Sequence, residues 1–152
     1  MYLKAELHRC HRIQADAVLD VRRFNDPDQH RFGRGHTGMH SQILTRIVGH
    51  ELFHHWFMES INRIREATLQ IRRDNRDVGV AVYCNAGKHR SVACSIILAV
   101  SLPTFGFAVA GPPMHLAQPS WSKDQYFCQG GCEDCVNEFD TAQRLLIERK
   151  LM

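Results

Sequence analysis

The chain has 152 residues, 44% of them hydrophobic and 23% charged, with a formal net charge of +3. That length suits one domain with a real core, and that charge is too small to argue nucleic-acid binding by itself. Six cysteines form no obvious disulfide set, Met1 to Glu6 lacks the apolar stretch of a signal peptide, and no apolar run reaches bilayer length, so a cytoplasmic setting with thiols free or metal-bound is expected.

Ala17-Val18-Leu19-Asp20-Val21-Arg22-Arg23-Phe24 is a short apolar run closed by the turn cluster Asn25-Asp26-Pro27-Asp28. It reads as a buried strand with polar groups at its carboxyl end. From Gln29 to Met39 the composition is Gly, His and Arg without a period, which reads as a basic loop. Its Arg31, Arg34, His36 and His40 are either phosphate contacts or a solvated rim. Ile43, Leu44, Ile47 and Val48 suggest a short helix. Leu52, Phe53, Trp56, Phe57, Ile61, Ile64 and Ile71 keep helical spacing, ended by Asp74 to Asp77. Val78 to Tyr83 is the clearest strand, rich in β-branched residues.

A turn at Asn85-Ala86-Gly87-Lys88 leads into a small-residue helix over roughly Arg90 to Ser101, with Pro103 just beyond it. Phe105 to Ala110 reads as another strand. Gly111 opens an irregular stretch with Pro112-Pro113, Pro119 and three cysteines, and Val136, Phe139, Ala142, Leu145 and Leu146 mark an amphipathic terminal helix. Helices alternating with strands predict an α/β fold with a mainly parallel sheet flanked by helices, Rossmann-like or phosphofructokinase-subdomain-like. The expected division is an α/β domain over 1–115 and a cysteine-containing extension over 116–152, its helix packed on the domain.

The chemistry concentrates at Cys84-Asn85-Ala86-Gly87-Lys88-His89-Arg90-Ser91. In open parallel sheets, ligands bind beyond the carboxyl ends of the strands. A helix start offers unpaired N–H groups and partial positive charge to an anion. Gly87 lets backbone come close, Lys88, His89 and Arg90 add cationic donors, and Ser91 can cap the helix or donate to the same anion. The plain alternative is a connecting loop with incidental charges.

Two families own such a loop. Cys84 and Arg90 have the C-x5-R spacing of cysteine-dependent phosphatases, and Val82 to Gly87 resembles a dual-specificity phosphatase. There the thiolate attacks phosphorus while loop and arginine hold the oxygens. That chemistry also needs a carboxylic acid for the leaving group. The matching region here holds only Glu51 and Glu59, and Tyr83 stands where those enzymes usually have His.

The longer resemblance is to the C-terminal domain family of the RNase adapter protein RapZ. That family carries Asp-Val-Arg, an Asn-Pro-type turn, Thr-Gly, a long helix, a strand, and Cys-Thr-Gly-Gly-Lys/Gln-His-Arg-Ser-Val. This chain has Asp20-Val21-Arg22, Asp26-Pro27, Thr37-Gly38, the helix to Arg73, the strand, and Cys84 to Val92 in the same order. The similarity runs from about Leu3 to about His115. It implies a sensor and adapter rather than a catalyst, binding an amino-sugar phosphate (glucosamine-6-phosphate) and partnering with small RNA and an RNase. The ligand-binding set it implies is Arg22, Thr37, Gly38, Asn85, Gly87, Lys88, His89 and Arg90, and Asp20, Cys84 and Ser91 complete the expected site. Asp28 replaces a frequent His, and Asn85-Ala86 replaces Thr-Gly. The family's basic tail and its N-terminal nucleotide-binding domain have no counterpart, and no Gly-x4-Gly-Lys-Ser/Thr occurs.

Two patterns point to metal. His50-Glu51-Leu52-Phe53-His54 matches H-E-x-x-H, in which two histidines share a helical face and Glu51 would act as base to a bound water. A third ligand is required and the short metzincin continuation is absent. Histidines on an ordinary amphipathic helix are the plainer reading. Cys128-x3-Cys132-x2-Cys135 can wrap a tetrahedral structural zinc, with His115 as the fourth ligand by type and Cys94 or Cys10 behind it. The alternative is three reduced thiols in a loop. The expected function is therefore non-catalytic binding of a phospho-metabolite. A phosphatase using Cys84 and Arg90 comes second and a zinc peptidase third.

Overall fold

Strand β3 (Gly79–Tyr83) buries Val80, Ala81 and Val82 in succession. A run apolar on both faces suits a strand covered on both sides, as in a parallel sheet. In the computed structural model β3 lies between β2 (Ala17–Asp20) and β1 (Tyr2–Ala5), and β1 pairs in turn with the short β4 (Met114–His115). The order is β2-β3-β1-β4 and every pairing is parallel. The structure describes residues 2–5, 15–25, 35–71, 74, 76–116, 118, 121, 127–128 and 130–152. Asp20 pairs with Tyr83, so β2 and β3 finish level at their carboxyl ends. At the other end the buried Asp16 carboxylate accepts from the Gly79 N–H at 2.7 Å and from both Arg76 Nη atoms at 2.9 and 2.7 Å.

Helices cover the sheet. Helix α1 (Ser41–Val48) buries Ile43, Leu44, Ile47 and Val48. Helix α2 (Phe53–Ile71) buries Phe53, Trp56, Phe57, Ile61, Ile64, Ala67 and Ile71, the stripe expected of helical periodicity. Phe24 wedges against it edge-on, 5.4 Å from the Trp56 ring. In α3 (Arg90–Ser101) every residue but Val100 is buried. Its Ala93, Cys94, Ser95 and Ala99 let neighbouring elements approach from all sides. The short α4 (Glu133–Val136) precedes α5 (Glu138–Glu148), which lays Ala142, Leu145 and Leu146 against α3 and α1. These three side chains belong to the same apolar cluster as the sheet and its helices. Among the described residues no helix is long and apolar enough to cross a membrane.

The structure departs from the sequence expectations at four places. Phe105 to Ala110 is not a strand: a 3₁₀ turn over Leu102–Phe105 ends at Gly106, whose φ is +84°, and residues 107–110 pair with nothing in the sheet. Phe107 and Val109 alternate because they pack on the core. The pairing falls instead to Met114–His115 and, on its other side, to Tyr2–Ala5, an element whose short polar-flanked run gave no sequence signal. The β2 strand stops at Asp20, although Val21 and Phe24 remain buried in the turn beyond it. Leu52, Val136 and Phe139 are exposed rather than part of their helical stripes, at 41%, 58% and 37%.

Candidate functional site

The chain leaves β3 at Cys84, makes five bends, and enters α3 at Arg90. Gly87 sits at φ +58°, a left-handed conformation that costs glycine nothing. Its carbonyl accepts from the Trp121 indole N–H at 3.3 Å. Asn85 and Ala86 are exposed, whereas Cys84, Gly87, His89, Arg90 and Ser91 are buried. The Cys84 thiol lies 3.3 Å from the Ser91 hydroxyl. The Lys88 ammonium stands 5.2 Å from the centre of the Phe127 ring.

The Thr37-Gly38 turn docks directly on this loop. The Gly38 N–H donates to the Lys88 carbonyl at 2.9 Å. A Cβ on Gly38 would overlap the His89 carbonyl oxygen and stand 2.5 Å from the Ala93 nitrogen. Only glycine lets the turn pass this close to the first turn of α3. One residue earlier, the His36 carbonyl lies 2.9 Å from His89 Nε2. A carbonyl only accepts, so Nε2 carries the proton. Thr37 is fully buried and its Oγ1 accepts from the Met39 N–H at 3.3 Å.

The Asp20-Val21-Arg22 turn closes the other side. Buried Arg90 donates through Nη1 to the Phe24 carbonyl at 2.9 Å and the Arg22 carbonyl at 3.2 Å. This guanidinium therefore stitches the exit of β2 to the start of α3. Arg22 forks onto Asp20, with Nη2 2.7 Å from Oδ2, and reaches the Tyr83 hydroxyl at 3.1 Å. The Arg22 bonds hold the Asp20 carboxyl well below the usual carboxylate range, against the opposing effect of burial. The three motifs singled out in the sequence thus converge at the carboxyl ends of β2 and β3.

Helix starts favour acidic side chains, yet the first turn of α3 holds none. Lys88, His89 and Arg90 cluster at the end that already carries partial positive charge, a place that suits an anion.

A second cluster adjoins the first. His36, Cys128, Cys132 and Cys135 bring their ligand atoms within 4.8 Å of one another, a group that can hold a metal ion. The fourth ligand proposed from the sequence, His115, is not in this group. Its ring lies 5.9 Å from Trp121, and burial pulls its pKa down to about 4. Its Nδ1 has no hydrogen-bond partner among the described residues. Cys94 is buried in the middle of α3, and Cys10 lies outside the described residues. Nothing in the sequence singled out His36 over the other histidines. What selects it is the turn at Thr37-Gly38, which carries it to the thiols. Asp28, Arg31 and Arg34 also lie outside the described residues.

The H-E-x-x-H pattern does not form a helical face. His50 precedes α2, and its Nδ1 accepts from the Leu52 N–H at 3.2 Å while its carbonyl accepts from Phe53. It lies in the turn before the helix on which His54 is exposed.

A family model described as the RapZ C-terminal domain matches residues 7–113. A nucleotide-binding protein of Mycobacterium sp. (strain KMS) is 33% identical over 89 residues, covering 57% of this chain and 29% of the relative. One from Mycobacteroides abscessus is 33% identical over 92 residues, or 59% and 30%. The RNase adapter protein RapZ of Hamiltonella defensa is 28% identical over 81 residues, or 53% and 28%. The matched stretch is thus less than a third of each of these relatives.

Proposed function

The chain belongs to the RapZ C-terminal domain family, and from that premise we propose that it is a cytoplasmic regulatory module that reversibly binds a phosphorylated metabolite, of amino-sugar phosphate type, at the Cys84–Ser91 loop. The observation that carries this reading is the convergence of Thr37-Gly38 and Asp20-Val21-Arg22 on a helix start crowded with cations. The backbone N–H groups of the loop and the Lys88 ammonium receive the phosphate. His89 and Arg90 position the loop through the His36, Arg22 and Phe24 carbonyls. Asp20 and Arg22 sit at the rim, where a carboxylate suits an amine or sugar hydroxyls. Binding would bias the contacts of the module with a protein or RNA partner, the adapter role that the name of the Hamiltonella relative describes. A metal at the His36 cluster is structural in this reading and outside the phosphate's path.

Calorimetric titration tests it. Glucosamine-6-phosphate should bind, inorganic phosphate should compete weakly, and unphosphorylated glucosamine should not bind. Absence of heat across a panel of sugar phosphates at millimolar concentration overturns the reading. The Cys84–Ser91 contact and the C-x5-R spacing favour a second reading, a phosphatase. Release of phosphate from an aryl phosphate, abolished by Cys84→Ser, would establish that reading instead.

A further inference from the structure

We propose that His36, Cys128, Cys132 and Cys135 bind one zinc ion, and that this ion fixes a wall of the Cys84–Ser91 loop. The four ligand atoms lie within 4.8 Å of one another. Zinc bonds of about 2.3 Å to sulfur and about 2.05 Å to nitrogen, at tetrahedral angles, give edges of roughly 3.8 Å between sulfurs and roughly 3.6 Å between sulfur and nitrogen. Here Cys128 Sγ is 4.0 Å from Cys135 Sγ, and His36 Nδ1 is 3.8 Å from Cys132 Sγ and 3.9 Å from Cys135 Sγ. These edges suit a single ion. They are far too long for a disulfide of about 2.05 Å, and among the described residues every cysteine is unbridged.

The backbone is shaped for the same purpose. Gly130, at φ +95°, turns the chain between the first two thiols. The Cys132 N–H then points at Cys128 Sγ at 3.3 Å, a donor aimed at a sulfur that carries negative charge once it is bound to metal. On binding, each thiol releases its proton to solvent and His36 binds as the neutral imidazole. Three thiolates and one imidazole make a closed set with no position left for water, which is a structural rather than a catalytic site.

The link to the loop runs through residues 35–38. Gly35 accepts from the Cys128 N–H at 2.7 Å. His36 gives its ring to the thiols and its carbonyl to His89. Two residues on, Gly38 donates to Lys88. A metal held by the thiols and His36 would be a tether of this segment that a chelator can remove. The effect on phosphate-ester binding rests on the function proposed above, whereas the zinc site does not.

The test uses the full chain. Protein made in zinc-supplemented medium should contain one zinc by elemental analysis, and C132S should contain less than about a tenth of that. Cobalt added to stripped protein should give strong visible bands of tetrahedral geometry with a thiolate charge-transfer band. His36→Cys should keep the stoichiometry and shift those bands toward a four-sulfur spectrum, a readout that does not depend on C132S folding. Stripping should lower Tm by roughly 10 °C and weaken glucosamine-6-phosphate binding by about tenfold or more. Zinc content no higher than in C132S, a pale octahedral cobalt spectrum, or an iron–sulfur chromophore overturns the proposal. A zinc-loaded chain that binds no sugar phosphate leaves the metal site standing and sinks the proposed function alone.

Discussion

Replacing Gly38 by alanine tests whether the Thr37-Gly38 turn is part of the loop's construction. The added methyl would overlap the His89 carbonyl oxygen and press on the Ala93 nitrogen and Val92 Cβ. Two of these are backbone atoms in the first turn of a buried helix, so no side-chain rotation relieves the clash. Overpacking of this kind costs about 1–3 kcal/mol. Pushing the turn away also breaks the bond from Gly38 to Lys88, worth about 1 kcal/mol. The sum, about 2–4 kcal/mol, predicts a Tm roughly 5–15 °C lower for a chain of this length. Urea unfolding should show a lower midpoint at an unchanged slope. Sugar-phosphate affinity should fall as well, since the displaced turn unsettles the backbone at Lys88 and His89. Gly111→Ala is the control: nothing stands within 4 Å of its Cβ position, so its stability should not drop. A Gly38→Ala variant with wild-type Tm and affinity would refute the argument.

Arg90→Ala leaves the Phe24 and Arg22 carbonyls without their buried donor, and should cost about 2–4 kcal/mol in urea unfolding as well as binding. Arg90→Lys, whose ammonium lacks the planar guanidinium that fixes Nη1 between the two carbonyls, should recover only part of this; a variant as stable as wild type would dissociate Arg90 from the architecture. Asp16→Asn should lower stability at neutral pH by about 1–3 kcal/mol, because the bonds from Arg76 and Gly79 depress the Asp16 pKa. That contribution is present above the unfolded pKa of about 3.9 and disappears as pH falls through the lower folded value. His115 works in a different window. Its folded pKa near 4 lies below the ordinary 6.5, so the unfolded chain takes up a proton first and stability should decline as pH falls from about 6.5 toward 4. His115→Gln should flatten the urea midpoint in that range while leaving the steeper loss below pH 4; an unchanged profile would remove His115 as its cause.

Much of the site was legible because its logic is local. A β-branched run, a glycine and the basic residues Lys88, His89 and Arg90 mark a strand–loop–helix element, with an anion as its expected ligand, without any knowledge of what surrounds it. Helices α1, α2 and α3 were legible too, since periodic burial writes itself into spacing. Tertiary structure decided what depends on distant partners. Strand β1 exists because parallel pairing with β3 satisfies its backbone, which four residues cannot advertise in sequence. His36 rather than His115 meets the thiols because a turn more than ninety residues away in sequence, held against α3 by a glycine with no room for a side chain, delivers it there. Arg90 faces two carbonyls because the exit of β2 leaves those acceptors buried beside it. Composition and spacing set which groups the chain carries; only the packed chain determines which of them meet, since hydrogen bonds and metal edges need ångström placement that periodicity does not encode.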